Sequence, residues 1–251
     1  MKPSKNLLPN QIRLHRLIAL CSELSRRSAE KAIVEGRVLL NGKKVTALGV
    51  LVSPEKDHVK LDGKSLQLPR SFSYVAFYKP PNMLVTRSDP EGRDTIWKLL
   101  ERWEGRLNTA GRLDFDSEGL LILSDDGALL HALMHPSHEL WKTYRLKVQG
   151  LPSPETLRKL KEGIKLEDGP TLPSKWKLLK AGDRHAWLEA SLREGRNRQL
   201  RRMCEAVGHP LMRLKRVAVG PITLGDLTRG KWRFLTPAEV KELKSALIKA
   251  T

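Results

Sequence analysis

Apolar and polar side chains alternate most strictly in two stretches of this chain. In KTYRLKVQG, residues 142–150, Tyr144, Leu146 and Val148 fall on one side and Arg145 and Lys147 on the other. That is the period of a half-buried strand. RHAWLEASL, residues 184–192, repeats the pattern and predicts a second strand. YVAFYKPPNMLVT, opening at Tyr74, is a strand-like run broken by Pro80-Pro81. DPEGRDTIWKLL reads as a turn leading into a short helix, and PETLRKLKEG as a helix ending at Gly163. In NRQLRRMCEAVG, Leu200, Met203, Cys204 and Val207 form one helical stripe, stopped by Gly208 and Pro210.

The N-terminal part is patterned differently. SRRSAEKAIVEG offers Ser25 and Ser28 as caps and turns Ala29, Ala32 and Ile33 inward, with Arg26, Arg27 and Lys31 outward and Gly36 as the stop. Asn41-Gly42 and Asp62-Gly63 each sit between apolar-containing runs, the strongest short-range hairpin signal. Strands outnumber helices and no regular βα repeat appears, which predicts a mixed α+β fold with a mostly antiparallel sheet. The expected boundaries are a flexible basic tail over 1–11, a small unit over 12–66, a linker over 67–73, a larger unit over 74–236 and a basic tail over 237–251 that is either loose or a docked helix.

Charge narrows the function. The 251 residues hold 46 Lys+Arg against 28 Asp+Glu, a formal net charge of +18. Each phosphate neutralised by such a surface releases a condensed counterion, so a nucleic acid is the favoured partner. Apolar runs such as GLLIL, residues 119–123, are too short to span a bilayer, and no basic amphipathic helix marks a membrane surface. MKPSKNLLPNQ lacks an apolar core of the kind a secretory signal needs. Two cysteines, Cys21 and Cys204, exclude a disulfide framework and fit a reducing cytoplasm.

Against this background, GRLDFDSEGLLILSDDG, residues 111–127, gathers five carboxylates. Asp114, between Leu113 and Phe115, is the one expected to be desolvated, and such an acid beside a cation is a competent nucleophile or base. Asp116, Glu118, Asp125 and Asp126 read as turn and cap residues. From spacing alone, a structural role for Asp114 remains open, as does a hydrolase built on Asp114 and Asp116. HALMHPSH places His131 and His135 at i,i+4, but no Glu lies between them and Pro136 ends the helix, so no metal site is expected. Glycine-rich phosphate loops are absent from the sequence.

Residues 12–66, through LSRRSAEKAIVEGRVLLNG and DHVKLDGKSL, resemble an S4 RNA-binding domain. The resemblance implies RNA contacts at Arg26, Arg27, Lys31, Arg37 and Lys43. GRLDFDSEGLLILSDDG resembles the signature of the pseudouridine synthases that modify bacterial ribosomal RNA, with Ser117 where Thr is more usual. WKTYRLKV, EGRNRQLRRM and MRLKRVAVGPITL match further family motifs in order, so the likeness runs from Tyr74 to about Phe234. It implies that Asp114 is the catalytic aspartate and that Arg201 pairs with it and holds it ionised. Tyr144 would stack on the target base, Leu214 would pack beside it, and Arg112 would lie at the RNA edge. Arg196, Arg198 and Arg202 are candidates for phosphate contacts.

The implied reaction moves the ribose C1′ bond from uracil N1 to C5, with no cofactor and no metal. Asp114 would either attack the ribose or abstract a ribose proton. YKPPNMLVTRSDPEGRDT and LMHPSHELWKTYRL are closer to the large-subunit type. The expected partner is ribosomal RNA or a subunit assembly intermediate, met by a cytoplasmic monomer.

Overall fold

Asn41-Gly42 and Asp62-Gly63 turn their strands through paired left-handed conformations, with φ of 49° and 81° in the first and 50° and 77° in the second. This is the type I′ geometry those dipeptides favour. The computed structural model that shows this describes residues 10–101, 103 and 105–248. The expected tail over 1–11 therefore falls, up to residue 9, outside the described residues, as do residues 249–251. Two units are formed, one from residues up to Ser73 and one from Tyr74 onward, with short segments near 105–107 and 125–128 belonging to the first.

In the first unit the turns join β1 (Val38–Leu40) to β2 (Lys43–Val45) and β3 (Val59–Leu61) to β4 (Lys64–Ser65), giving a four-stranded sheet in the order β2-β1-β3-β4. Two helices cover it, α1 (Leu14–Cys21) and α2 (Arg26–Val34). Ser25 caps α2 as expected, its Oγ accepting from the Ser28 N–H at 2.9 Å. Ala29, Ala32 and Ile33 are buried, facing Leu17 and Ile18 of α1 in one core. Helix α1 has no side-chain cap at Arg13, and its signal is the apolar stripe Leu14, Leu17, Ile18 and Cys21, which the sequence reading passed over. The expected linker is also partly built in, since Leu68 packs against this core beside Leu66, the last residue of the expected small unit.

The second unit is organised by one sheet. Its strands are β5 (Tyr74–Lys79), β6 (Glu118–Ser124), β7 (Lys142–Gln149), β8 (Lys175–Ala181), β9 (His185–Leu192), β10 (Leu211–Val219) and β11 (Trp232–Phe234), in the order β8-β9-β7-β10-β6-β5-β11. Short strands Asn108–Thr109 and Ile222–Thr223 add to β6 and β10. Neighbours run antiparallel except β10 and β6, which are parallel. At that junction Gly119 has φ of 116°, and a Cβ there would lie 2.2 Å from the Arg216 carbonyl oxygen. Only glycine lets the two backbones approach so closely.

Two apolar cores flank the junction. In one, Ala76, Leu120 and Ile122 of the sheet meet Leu129 and Leu133 of α3 (Gly127–Met134). The other core joins Leu146, Val148 and Leu188 to α4 (Pro154–Glu162) and α5 (Gln199–Ala206), with Leu200, Met203 and Cys204 inward as the helical stripe required. Helix α6 (Pro237–Ile248) completes the first of these cores through Leu243 and Leu247. The segment after Pro237 is thus a docked helix within the unit rather than a loose tail. Its start is a capping box: the Thr236 N–H donates to Glu239 Oε2 at 2.8 Å and the Glu239 N–H to Thr236 Oγ1 at 3.2 Å. No helix of the described residues is long and apolar enough to cross a membrane.

Candidate active site

Strands β7 and β10 pair with Tyr144 opposite Arg216 and Leu146 opposite Leu214. Side chains two apart on a strand share a face, so Lys142 and Tyr144 of β7 and Leu214 and Arg216 of β10 point the same way. All four line a cavity of about 490 Å³. The loop from Ala110 to Asp114, with Ser117, makes one wall, and the chain from Leu192 through the first residues of α5 makes another. Every lining residue belongs to the second unit.

The loop carrying Asp114 is held from below. Its Ser117 N–H donates to the Asp114 carbonyl at 3.1 Å, closing a turn. Lys79, at the end of β5, is fully buried. Its ammonium donates to the carbonyls of Pro80 at 3.0 Å, Phe115 at 3.1 Å and Ser117 at 2.7 Å. Burial lowers Lys79 to about 8, opposed by the negative charges of Asp116, Asp114 and Glu118. An ammonium has three donors, and all three are used on or beside this loop.

Arg201 reaches the loop from α5. Its Nε lies 3.7 Å from Asp114 Oδ2 and its Nη2 lies 2.7 Å from Asp116 Oδ1. The guanidinium is 15% exposed, and Nε makes no hydrogen bond among the described residues. Arg201 and Asp114 are therefore together, but the shorter contact goes to Asp116, whose sequence setting is that of a turn residue. The Asp114 carboxylate is 33% exposed and Phe115 turns outward, so flanking by apolar residues does not bury this acid.

The other carboxylates of the motif divide. Glu118 accepts from Tyr78 Oη at 2.8 Å and pairs with Arg229 at 2.7 Å. Burial alone would raise it, but those two partners outweigh burial and hold it below the usual range. Asp126 caps the start of α3, accepting from the Ala128 N–H at 3.1 Å, and Asp125 accepts from the Ser73 N–H at 2.7 Å.

The arginines expected to meet phosphate differ in the partners they hold within the protein. Arg202 donates to both oxygens of Asp168 at 2.8 and 2.9 Å. Arg196 donates to Glu194 Oε2 at 2.9 Å and to the carbonyls of Gly169 and Pro170. Both guanidinium groups brace the 168–170 turn. Arg198, at the N-cap of α5 with φ of 46°, is exposed on the cavity wall, and Arg112 is exposed on the facing loop. In the first unit Arg37 is likewise engaged, by Asp62 at 2.7 and 2.8 Å and by Glu35 at 3.3 Å. Lys31 lies 3.7 Å from Glu35, and Lys31, Arg26, Arg27 and Lys43 are all exposed.

Sequence reasoning overlooked Lys79, Lys142 and Arg216. The last two were findable, since Lys142 is two residues from Tyr144 and Arg216 two from Leu214. Burial raises the thiols of Cys21 and Cys204 to about 11 and about 12, so neither is an active nucleophile near neutral pH. The His131 and His135 rings stand 5.4 Å apart, and among the described residues no group of three or more His, Cys, Asp or Glu is placed to hold a metal ion.

Comparison with known proteins adds to this geometry. The family model described as RNA pseudouridylate synthase matches residues 73–206, and the S4 domain model matches residues 12–59. A protein of Aquifex aeolicus named an uncharacterized RNA pseudouridine synthase is 40% identical over 238 residues, 94% of this chain and 95% of that protein. The ribosomal large subunit pseudouridine synthase B of Bacillus subtilis is 42% identical over 235 residues, 93% of this chain and 96% of its own length. A crystal structure of a pseudouridylate synthase superposes with a TM-score of 0.67 at 31% identity, covering 92% of this chain and 99% of the other.

Proposed function

This chain belongs to the RNA pseudouridylate synthase family, with an S4 domain in front, and on that premise we propose that it isomerises a uridine of large-subunit ribosomal RNA, using Asp114. The observation that carries the proposal is the Asp114 carboxylate, 3.7 Å from Arg201, on the wall of a cavity floored by Tyr144 and Leu214. The large subunit is favoured by the Bacillus subtilis relative, whose name specifies that substrate.

In this reading a uridine leaves its stack, at a cost of about a few kcal/mol that binding recovers. Its ring enters between Tyr144 and Leu214, an aromatic face and an apolar side chain. Asp114, beside Arg201, then attacks ribose C1′ or takes a ribose proton, and the C1′–N1 bond breaks. The base turns and rejoins through C5, and the C5 proton leaves. The product is an isomer of the substrate, so no redox partner or phosphoryl donor enters the balance. Arg112 and Arg198 meet the RNA backbone at the rim, while Arg26, Arg27 and Lys43 hold RNA on the S4 domain. The enzyme works as a monomer in the cytoplasm, on rRNA or an assembly intermediate.

The test labels uracil C5 with tritium in large- and small-subunit rRNA, free and in assembly intermediates. Release from large-subunit RNA alone is the expected result. Release from small-subunit RNA alone overturns the subunit, and no release from any of them overturns the reaction.

A further inference from the structure

Arg216 is a buried cation of this cavity, and no acid among the described residues answers it. It is 4% exposed and makes no ion pair among the described residues. Its Nε donates to the Leu120 carbonyl at 2.7 Å, and its Nη2, sealed from solvent, finds no acceptor among the described residues. A guanidinium enclosed in protein without its full set of partners is strongly destabilising. A fold that retains one has a use for the charge.

The surroundings sharpen this. Lys142 lines the same cavity from the same sheet face, and its ammonium is held below its ordinary range by burial first and by the charge of Arg216 second. Ser117, fully buried in the facing wall, presents an Oγ with no partner among the described residues. Asp114 and Asp116 are engaged by Arg201. Two cations and an unused hydroxyl around one hollow describe a receptacle for negative charge.

The substrate brings negative charge there in only one way. Phosphodiester continues on both sides of the target nucleotide, so it stays at the rim, where Arg112 and Arg198 are exposed. The flipped base is the part free to reach the sheet, beside Tyr144, which lies directly opposite Arg216. Uracil enters neutral. When C1′–N1 breaks, the bonding pair stays on N1 and spreads to O2 and O4. Meanwhile C1′ bonds to an Asp114 oxygen, or the ribose 2′ proton passes to Asp114. The ring charge is discharged when C5 bonds C1′, which releases Asp114 or returns the 2′ proton. The C5 proton then leaves and N1 gains one, so the atoms balance.

We propose that Arg216, supported by Lys142, is a further catalytic residue, stabilising the uracil anion that exists between breaking the C1′–N1 bond and forming the C1′–C5 bond. This rests on the reaction assigned above. Its test compares wild type, Arg216→Gln and Arg216→Lys under single-turnover conditions, on large-subunit RNA carrying uridine or 5-fluorouridine at the target, scored as consumption of that nucleotide.

Fluorine withdraws electrons from the ring, so its anion needs less help. Arg216→Gln should slow uridine consumption by about 10²-fold, as loss of a donor to developing charge does elsewhere, with unchanged RNA Kd. Arg216→Lys should recover part of the rate, and the deficit of Arg216→Gln should shrink on 5-fluorouridine. Each variant is compared with itself on two bases, so partial loss of folded protein cancels. An equal deficit on both bases, a defect confined to Kd, or a wild-type rate in Arg216→Gln each overturns the proposal and leaves the reaction standing. Failure of the wild type to consume the target uridine overturns the reaction, and this proposal with it.

Discussion

The two strongly basic stretches of this chain, residues 26–43 and 193–216, differ in how many of their cations the protein itself engages. In the first, Arg26, Arg27 and Lys43 stand in solvent on a helix and a hairpin, and of the expected contacts only Arg37 is drawn into a tight ion pair. In the second, Arg202 is clamped on Asp168, Arg196 on Glu194 and Arg193 on Glu139. Arg201 holds two aspartates and Arg216 is buried in the cavity floor. Positive charge in a sequence therefore identifies the partner as a polyanion, but it does not say which cation meets it. That depends on whether a carboxylate or carbonyl of the protein lies within reach.

The contrast is most easily broken at Arg201. Arg201→Met leaves Asp114 and Asp116 without their shared arginine, and should lower single-turnover tritium release by about 10²–10³-fold, with RNA affinity nearly unchanged in filter binding. Lys79→Met comes next. Three carbonyls lose their donor and the Asp114 loop shifts, which at about 1 Å of misplacement costs roughly 10²-fold in rate.

Lys79 also sets a pH dependence. Its folded value of about 8 lies below its ordinary 10.5. Between those values the unfolded chain binds the extra proton, so by linkage stability rises with pH across that window. The neutral amine, however, has one donor fewer for the loop. Activity should therefore fall as pH rises through about 8 while the melting temperature does not fall from this cause. A pH–rate profile beside a melting series checks both signs.

Smaller effects separate the two stretches directly. Arg26→Ala or Arg27→Ala should reduce the slope of log Kd against log salt by about 0.7–0.9 for each phosphate left without its cation, with the bound turnover rate intact. Arg202→Ala should leave that slope where it was and lower thermal stability slightly. A reduced slope in Arg202→Ala would mean that its pairing with Asp168 yields to RNA, and the contrast would fail.

Much of this arrangement was legible in the sequence where the causes are local. Asn41-Gly42 and Asp62-Gly63 announced their hairpins, and the stripe on α5 announced its buried face. The capping box of Thr236 and Glu239 was equally local and would have shown that the chain after Pro237 is a helix. Period two along β7 and β10 would have added Lys142 and Arg216 to the cavity from Tyr144 and Leu214. What local pattern did not reveal are partners far apart in the chain. Asp168 lies 34 residues before Arg202, and Lys79 bonds the Phe115 carbonyl 36 residues away. Nothing within either neighbourhood signals such a pairing, because the sheet order brings them together.

One measurement bears most directly on the Asp114 assignment: RNA binding and C5 tritium release recorded side by side for wild type and Asp114→Asn. The substitution keeps the size of the side chain and removes its charge. Asp114→Asn should bind the RNA as the wild type does and release tritium slower by about 10⁴-fold or more, the scale seen when a nucleophile is removed. Release at a rate near that of the wild type would contradict the account, because the Asp114 carboxylate would then take no part in the chemistry.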